Sequence, residues 1–397
     1  MKIGMLLEAP FPPDLRVENE MRTLADAGHK IILFCLKHDK IQQNEKFSKG
    51  IFLQRNYIPK LVFNKIRTTV LRLPFYAKMW IHFISNDYRL DAIHVHDLPL
   101  ARVGQYLSEK LNTPLVLDLH ENYPAAIQTW GHNKRSLGRY LYKYQAWIDY
   151  EKQAVQTANK VIVVVDEAKE RLIKTGTPAE KIVVISNTLN LSNLKLPPDT
   201  TKHKSVDEFI ITYVGGFGEH RGLQIAIKAM PEIIKQNQKA KLVLIGDGNN
   251  RNNLEKLAND LKLKKNVIFT GWLKLNDAMQ KIRESHICII PYLATEHTET
   301  TIPHKLFQYM YFGKAVVVSN CRPLERIVSE TGSGLVFKSG NTTELANSIL
   351  RLYGNKSLRT TMSKNGMEAV LRKYNWKNTA SKLIELYNNF NEKRSHK

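Results

Sequence analysis

The segment YVGGFGEHRGLQIAI, residues 213–227, combines a glycine turn, an arginine and the start of an amphipathic helix pattern. Gly215, Gly216 and Gly218 leave backbone N–H groups accessible, and Arg221 stands where the helix pattern begins. Bare amides at a helix start, with a guanidinium beside them, favour binding of an anion. The glycine spacing fits neither the phosphate loop with Gly-Lys-Ser/Thr nor the dinucleotide fingerprint. The segment therefore predicts an anion site of another kind.

Titratable side chains follow two apolar strand patterns in the first half of the chain. His96 and Asp97 end the run AIHVHD, and His120 and Glu121 follow LVLDL. Such groups are costly to bury, so their clustering at strand ends predicts a site. Two alternatives stay open. His94 and His96 could bind zinc, although no further ligand is obvious, and His120 with Glu121 could be a solvated pair beside a helix cap.

Arg16 and Asn187 are further candidates in the first half. Arg16 falls in the first turn of a helix pattern that Asp14 can cap, and a cation there opposes the helix dipole. Arg16 therefore does not stabilise the helix. Its presence would be explained either by a position at the protein surface or by a contact with a ligand. Asn187 follows the strand pattern IVVI, where a left-handed turn is the structural alternative to a binding role.

The second half also places polar groups after its strand patterns. Asp247 lies at the tip of a glycine turn, and Gly271 with Trp272 offers backbone and ring to a flat base. A polar loop then leads into a helix pattern in which Lys305 and Gln308 share one face at a spacing of three residues. This loop and helix form the densest candidate site of the second half.

The elements that must position these residues are short apolar runs alternating with helix-period stretches. In the first half the strand patterns are 2–7, 30–36, 92–96, 114–119, 160–165 and 182–185. Helix patterns between them include 15–27, 99–111 and 136–157. In the second half the strand patterns are 209–215, 241–246, 266–270, 286–290, 315–318 and 334–337. Non-alternating Val/Ile runs joined by helices predict an α/β fold with parallel sheets covered on both faces.

A weakly hydrophobic stretch with paired prolines, 191–207, predicts a linker between two doubly wound, Rossmann-like domains. The predicted domains are 1–190, which also holds a C-terminal helix within 375–397, and 208–374. We expect this helix, whose pattern covers 375–391, to pack across the domain junction. Ligands of open parallel sheets bind beyond the carboxyl ends of the strands, so we expect the domains to face each other across a ligand cleft.

The overall charge narrows the choice of partners. The 397 residues carry 59 Lys and Arg against 37 Asp and Glu, which gives a net charge of +22. This balance favours nucleic acid, anionic lipid surfaces or phosphorylated substrates. We set nucleic acid aside because the basic residues are scattered and no nucleic-acid-binding module is recognisable.

Cysteine usage and hydropathy indicate a cytoplasmic protein. Cys35, Cys288 and Cys321 are widely spaced within apolar runs and predict buried, reduced thiols. The N-terminal apolar run is too short for a secretory signal, and Glu8 interrupts it. No run reaches the roughly 18 apolar residues of a membrane-spanning helix.

One segment suits a membrane surface. Residues 58–83 hold five Lys and Arg, no acid, and interleaved aromatic and aliphatic side chains. That composition is typical of a helix lying in an anionic lipid interface, which predicts a peripheral position at the inner face of the membrane. A core-packed helix with a solvated basic edge is an equal alternative, since amphipathicity alone does not separate the two.

Six motifs, in this order, resemble the family-4 retaining glycosyltransferases of GT-B fold: PPDLRV, DLHENY, VISNTLN, YVGG followed by RGL, IGDG and PHKLFQYM. The likeness extends from Met1 to the helix near residue 390. It implies a nucleotide diphosphate sugar as donor, held mainly by the second domain, and front-face transfer with retention of configuration. The donor is a substrate, and no cofactor is implied. The chain contains no Asp-x-Asp motif, so a metal is not expected.

The resemblance and the residue patterns together give the expected roles. The catalytic candidates are His120, near the transferred sugar, and Arg221 and Lys305, on the donor diphosphate. The remaining donor-site candidates are Gly215, Gly216, Asn187, Asp247, Gly271, Trp272, Thr300, Thr301, Ile302 and Gln308. The candidates on the side of the glycosyl acceptor are Arg16, His96, Asp97 and Glu121.

The chain departs from the family pattern at three of these positions. Gly216 stands where such enzymes usually carry a first basic residue, and Thr300 and Gln308 stand where they carry two glutamates. Lys305 could supply the missing phosphate charge. The expected function is transfer of a hexose-type sugar to a glycan or lipid-linked acceptor in bacterial cell-surface polysaccharide biosynthesis. The alternative is a catalytically impaired sugar-nucleotide-binding subunit of a glycosyltransferase complex.

Overall fold

The computed structural model describes residues 1–38, 43–66, 72–84, 89–129, 143–193 and 208–395, which fold into two compact units. The first unit comprises Met1–Asn187 and Lys377–Lys397, and the second comprises Thr188–Trp376. The units thus divide within three residues of the expected positions 190 and 375. Residues 194–207 of the predicted linker lie outside the described residues.

In the described part of the first unit, the strands form one eight-stranded sheet in the order β3-β4-β2-β1-β5-β6-β7-β8. They are Lys2–Pro10 (β1), Lys30–Lys37 (β2), Asn44–Ser48 (β3), Ile51–Tyr57 (β4), Ala92–His96 (β5), Leu115–Leu119 (β6), Lys160–Val163 (β7) and Ile182–Val184 (β8). All pairings are parallel except that of β3 with β4. The sheet is therefore the parallel, helix-covered type that the apolar runs predict.

Helices connect these strands. They are Leu15–Asp26 (α1), Lys60–Ile66 (α2), Arg72–Phe83 (α3), Ala101–Leu111 (α4), Tyr123–Gln128 (α5), Tyr144–Thr157 (α6) and Asp166–Lys174 (α7). The side chain of Asp14 caps α1 by accepting hydrogen bonds from the N–H groups of Arg16 and Val17. Residues 136–142 of the helix predicted over 136–157 lie outside the described residues.

The sequence patterns did not predict β3 and β4. In β4 the apolar start is followed by Gln54, Arg55 and Asn56, which are buried although polar. Arg55 explains how this is tolerated, because its guanidinium pairs with Glu45 of β3 at 2.8 Å and donates to the carbonyl of Phe11. A buried polar run satisfied by tertiary partners leaves no alternation or apolar signal in the sequence.

In the described part of the second unit, the strands form one six-stranded parallel sheet in the order β11-β10-β9-β12-β13-β14. They are Phe209–Val214 (β9), Ala240–Ile245 (β10), Val267–Gly271 (β11), Ile287–Ile290 (β12), Ala315–Ser319 (β13) and Gly334–Phe337 (β14). The helices are Leu223–Gln236 (α8), Arg251–Asp260 (α9), Leu275–Glu284 (α10), His304–Tyr311 (α11), Arg322–Thr331 (α12), Thr342–Gly354 (α13) and Lys356–Arg372 (α14).

The order of the strands reverses once in each sheet. In the first sheet, β2 and β5 flank β1 on opposite sides, and in the second, β10 and β12 flank β9. Connections leave such a switch point toward opposite faces, which opens a crevice beyond the carboxyl ends of the strands. The candidate residues His96, Asp97, Gly215 and Gly216 all lie at these two switch points.

The last helix, Trp376–Ser395 (α15), contributes Lys377 onward to the first unit. There the hydroxyl of Tyr387, which is fully buried, lies 2.9 Å from Nδ1 of His94 on β5. The chain thus returns to its first unit after completing the second, as the predicted division of the domains requires.

Two remaining predictions concern thiols and membranes. Cys35, Cys288 and Cys321 are free and buried, which confirms the prediction. No helix in the described ranges combines the length and apolar character that crossing a membrane requires. The described parts of 58–83 are α2 and α3, while residues 67–71 lie outside the described part of the chain.

Candidate functional site

The glycine turn of the second unit follows β9. The N–H of Gly215 donates to the carbonyl of Ile245 at 2.8 Å, and Gly215 has a φ of +136°, which side chains disfavour. A Cβ atom on Gly215 would collide with Nζ of Lys305 at the start of α11. The turn and the lysine, separated by 90 positions in sequence, therefore meet only because position 215 lacks a side chain.

Two cations of this unit lie over buried aromatic rings. Nζ of Lys305 lies 3.9 Å from the ring centre of Tyr213 and 5.6 Å from that of Tyr292. The guanidinium carbon of Arg221 lies 4.6 Å from the centre of the same Tyr292 ring. Tyr213 and Tyr292 are almost fully buried, so their faces hold both cations in place.

The charge of Lys305 is not neutralised within the described residues. None of their carboxylates forms an ion pair or hydrogen bond with its amine. Burial, and then the nearby charge of Arg221, lower the pKa of Lys305 well below its usual value. A cation disfavoured in this way gains stability when an anion arrives between it and its neighbour. This geometry supports the anion site that the glycine turn predicts.

The loop before α11 is ordered by its own threonines. The hydroxyl of Thr300 donates to the carbonyl of Glu296 at 2.9 Å, and Thr300 and Ile302 are buried. The carboxylate of Glu299 accepts the N–H of Arg322 at the start of α12. Glu299 therefore stabilises a neighbouring helix, and Thr300 supports the loop.

The remaining donor-site candidates of this unit differ in exposure. Thr301 and Gln308 are partly buried, on either side of the first turn of α11. The carboxylate of Asp247 accepts the N–H of Gly248 and pairs with Arg251 at 3.1 Å.

At the end of β11, the carbonyl of Gly271 is hydrogen-bonded, whereas the side chain of Trp272 is exposed. The carbonyl of Gly271 accepts the N–H of Gly246, so it is already used within the sheet edge. Trp272 exposes 66% of its side chain, although tryptophan is usually well buried. Its ring is therefore available to a flat ligand.

In the first unit, Arg16 lies at the centre of a buried ion network. Its Nη2 and Nε donate to the two oxygens of Asp118 at 2.7 and 3.1 Å, and Nη2 lies 3.0 Å from Glu20. Arg16 is 4% exposed, and both carboxylates are fully buried. Burial opposes the charge of Arg16, but Asp118 and Glu20 outweigh it and raise the pKa of the guanidinium.

The structure excludes a surface position for Arg16 and pairs it with Asn187, while their roles toward acceptor and donor stay predictions. Nη1 of Arg16 donates to the carbonyl of Ile185 and to Oδ1 of Asn187, each at 2.9 Å. Asn187 lies in the first unit, and its side-chain oxygen is used by this arginine. Both residues hold together the carboxyl ends of strands.

His120 is held between two carboxylates. Its Nε2 lies 2.9 Å from Oδ2 of Asp118, and its Nδ1 lies 3.4 Å from Oδ2 of Asp97. The backbone N–H of His120 donates to the other oxygen of Asp97 at 3.1 Å. Burial alone would lower the pKa of His120, but Asp97 and Asp118 raise it to about 10. His120 is thus an imidazolium at neutral pH, 16% exposed.

Asp118 is the hub of the cluster. Burial would raise the pKa of its carboxyl, but Arg16 and His120 hold it well below the usual range. Its Oδ2 also lies 3.3 Å from Nδ1 of His96. Burial and the neighbouring His94 lower the pKa of His96 to about 3, so this ring is neutral. Nδ1 of His96 also lies 3.3 Å from Nε2 of His120, so it can donate to Asp118 or accept from the imidazolium of His120.

The zinc alternative gains partners that the sequence did not reveal. Glu20, His94, His96 and Asp118 bring one potential ligand atom each within 4.8 Å of one another. Arg16, however, contacts both carboxylates and supplies the positive charge that a metal would provide. Burial, and then the charge of Asp118, raise the pKa of Glu20 to about 8. Because Arg16 already balances the charge of these carboxylates, the geometry favours the guanidinium over an ion.

A cavity of about 480 Å³ lies beside this cluster within the first unit. It is bordered by the last residues of β1, by α2 and by the loops after β5 and β6. Three predicted residues of the acceptor side, His96, Asp97 and Glu121, meet there, and Arg16 is not among the lining residues. Asp97 has a φ of +64°, an uncommon conformation outside glycine, which marks the site as specialised.

Several residues of these sites escaped the sequence reasoning. Tyr213 lies two residues before Gly215, and Tyr292 lies two residues after β12, so their positions near strand ends could have drawn attention. Glu20 lies one helical turn after Arg16, which is a recognisable ion-pair spacing. Tyr387 gave no signal, because it reaches His94 from 293 positions away.

Both units match known families. Residues 16–193 match Glycosyltransferase Family 4, and residues 199–369 match Glycosyl transferases group 1. A relative, an uncharacterized glycosyltransferase of Methanocaldococcus jannaschii, is 26% identical over 309 residues, which is 75% of each chain.

Solved structures resemble the whole chain. Sucrose-phosphate synthase from Thermosynechococcus elongatus superposes with a TM-score of 0.79 at 20% identity, covering 98% of both chains. Anabaena HepE in complex with UDP-glucose superposes with a TM-score of 0.69 at 16% identity, covering 98% of this chain and all of that one. These similarities establish a GT-B glycosyltransferase fold with two parallel sheets.

Proposed function

Because this chain belongs to the family-4, group 1 glycosyltransferases, we propose that it is a retaining transferase acting on a nucleoside diphosphate sugar. The observation that carries this proposal is the pair of cations at the glycine turn. Arg221 and Lys305 both lie over the ring of Tyr292, and Lys305 has no counter-ion among the described residues. A diphosphate supplies two anionic groups where this pair lies.

The donor contacts follow from the geometry around that pair. The sugar donor would place its diphosphate against Lys305, Arg221 and the turn at Gly215 and Gly216. Trp272, with its exposed ring, would take the base, and Gln308 would donate to or accept from a ribose hydroxyl. HepE binds UDP-glucose on a similar fold, which supports a donor of this class.

The transfer step breaks the bond from the anomeric carbon to the phosphate oxygen and forms a bond from that carbon to an acceptor hydroxyl. Negative charge develops on the departing diphosphate, which takes up the hydroxyl proton. Cations that bind this charge more strongly in the transition state accelerate the step by tenfold per ~1.4 kcal/mol. Arg221 and Lys305 would do so without a metal, and the imidazolium of His120 would lie near the transferred sugar as a fixed positive charge.

The acceptor in this proposal is a cell-surface glycan or a lipid-linked sugar. Leu61, Val62 and Phe75 on α2 and α3 expose 77%, 48% and 72% of their side chains, whereas Tyr76 and Trp80 are buried. Exposed apolar groups beside Lys60 and Lys78 support a peripheral contact with an anionic membrane. Sedimentation with vesicles of anionic phospholipid tests this contact. Loss of binding in Leu61→Ser/Phe75→Ser is expected, and unchanged binding would contradict it.

A thermal-shift screen against UDP-, GDP- and ADP-sugars tests the donor proposal. A sugar nucleotide that binds the folded state raises the unfolding midpoint. One of the three is expected to raise it for the wild type and to lose most of that effect with Lys305→Met. No shift with any sugar nucleotide would overturn the proposal.

A non-catalytic binding subunit is the second candidate. It is favoured by Thr300, whose hydroxyl is used by the loop, and by Glu299, which is directed to α12 and does not replace a missing carboxylate. The isolated chain decides between the two. Transfer or slow hydrolysis of a bound donor supports the enzyme, whereas binding without either reaction supports the subunit.

A further inference from the structure

The cavity of the first unit has an unusual charge for this protein. Among the described residues that line it are four carboxylates and one lysine, Lys60; the carboxylates are Glu8, Asp14, Asp97 and Glu121. The whole chain has the opposite balance, with 59 basic against 37 acidic side chains. An acidic hollow in a strongly basic protein therefore needs an explanation of its own.

The carboxylate of Asp14 keeps part of its bonding capacity. Asp14 uses Oδ1 for the cap of α1, and no described residue donates a hydrogen bond to its Oδ2. Asp97 binds the N–H of His120 through Oδ1 at 3.1 Å, and its Oδ2 lies 3.4 Å from the ring of His120. Burial, in the first place, raises the pKa of Asp97 to about 6. These oxygens border the cavity as hydrogen-bond acceptors.

His96 is an independent indication of a ligand. It is fully buried, it borders the cavity, and its Nε2 has no hydrogen-bond partner among the described residues. His96 lies between Leu7 of β1 and Asp118 of β6 in the register of the sheet. The cavity is therefore the place from which a ligand can reach this side chain. A buried polar nitrogen without a partner is costly, so a ligand group that donates to Nε2 or accepts from it would satisfy it.

Aromatic and proline side chains form the apolar part of the cavity lining. Phe63 and Tyr123 are buried and contribute aromatic surface beside Pro10 and Pro99. Binding pockets combine such apolar walls with a few placed polar groups. A sugar ring matches both, because its C–H face is apolar and its edge carries hydrogen-bond donors.

We propose that this cavity binds the sugar unit that is glycosylated, and that this unit presents hydroxyl and ammonium groups and no phosphate. That the bound sugar is the one that is glycosylated rests on the proposed function. The preference for an amino sugar rests on the cavity alone. An amino sugar ranks first, because the carboxylates attract its ammonium group, which donates hydrogen bonds to their oxygens. A phosphorylated sugar ranks last, because its charge meets like charges on several sides.

Saturation-transfer NMR with three probes at pH 7 tests the ranking: glucosamine, methyl glucoside and glucose 6-phosphate. The expected order of affinity is glucosamine, then methyl glucoside, then glucose 6-phosphate. Asp14→Asn and Glu121→Gln each remove a charge, and asparagine retains the cap of α1. Each substitution is expected to reduce the preference for glucosamine over methyl glucoside by about threefold, the size of a partly screened ion pair.

Glu368→Gln is the matched control, since it removes the same charge from an exposed position on α14 of the second unit. Its ranking is expected to equal that of the wild type. The proposal is overturned if glucose 6-phosphate binds best, or if neither cavity variant reduces the preference for glucosamine over methyl glucoside while its unfolding midpoint shows it to be folded. The thermal screen with sugar nucleotides, run on the same samples, reports separately on the proposed function.

Discussion

The two switch points of this molecule handle charge in opposite ways. In the first unit, Arg16, Asp118 and His120 satisfy one another inside the protein at distances of 2.7–3.1 Å. In the second unit, Arg221 and Lys305 lie over tyrosine rings, and no described carboxylate pairs with Lys305.

In the first unit the charged side chains are paired with one another, whereas in the second unit Lys305 has no counter-ion among the described residues. Buried paired charges fix the positions of their side chains. Removing one of them leaves its partner as an unpaired charge in the low-dielectric interior. Two neighbouring cations repel each other, and an anionic ligand bound between them offsets this repulsion. We therefore expect the first unit to fix the positions of side chains and the second to supply binding energy for the donor.

The largest expected effect comes from breaking the paired network. Arg16→Met leaves Asp118 and Glu20 buried without their cation, which should lower the free energy of unfolding by about 3–5 kcal/mol. Chemical denaturation measures it. The control is Lys235→Met, which breaks the exposed pair with Glu232 and should cost at most about 1 kcal/mol. Equal effects of the two substitutions would show that the buried network does not stabilise the unit.

The next effect concerns the unpaired cations. Arg221→Ala should lower turnover at least about 100-fold, or ~2.7 kcal/mol of transition-state stabilisation, with little change in the unfolding midpoint. Steady-state kinetics with the donor found in the thermal screen measures it. Arg372→Ala, on the exposed surface of α14, removes the same type of charge and should retain full activity. Near-normal turnover of Arg221→Ala would contradict the role of the arginine.

A smaller effect isolates the glycine turn. Gly215→Ala should weaken nucleotide binding by about tenfold, or ~1.4 kcal/mol, because the methyl group displaces Lys305 as well as straining the backbone. Gly313→Ala provides the matched control, since Gly313 also has a positive φ, +62°, but an added Cβ there meets nothing within 4 Å. Calorimetric titration should show weakened binding only for Gly215→Ala. Similar losses in both variants would attribute the effect to strain alone.

The smallest effect is a pH dependence within the paired network. Because the pKa of His120 is raised in the folded protein, its contribution to stability is complete below pH 6.5 and is lost as the pH rises through about 10. The stability advantage of the wild type over His120→Gln should therefore shrink between pH 7 and pH 10. Denaturation curves across this range measure it, and an advantage that grows with pH would show that the imidazolium is not the folded form.

Much of the fold could be predicted because apolar Val/Ile runs mark buried parallel strands. The patterns at 92–96 and 209–215, for example, correspond to β5 and to β9 with its turn. β3 and β4 could not be predicted, since their polar side chains depend on partners such as Arg55 with Glu45.

The candidate sites were predictable to the extent that strand ends mark ligand crevices. Gly215, His96 and Asp97 were identified in that way, and the structure places them at the two switch points. The burial of Arg16 was not predictable, because it depends on Asp118, which is 102 positions away. Local sequence shows that a charge is present, whereas tertiary pairing decides whether it is available to a ligand.

The central claim is that Lys305 and Arg221 bind a diphosphate. Calorimetry should compare the nucleoside diphosphate selected by the thermal screen with its parent nucleoside, for the wild type and for Lys305→Met. We expect the wild type to prefer the diphosphate by at least about 100-fold and Lys305→Met to lose about tenfold of that preference, with nucleoside affinity unchanged. Equal affinity of the wild type for the two ligands, or an undiminished preference in Lys305→Met, would contradict the account.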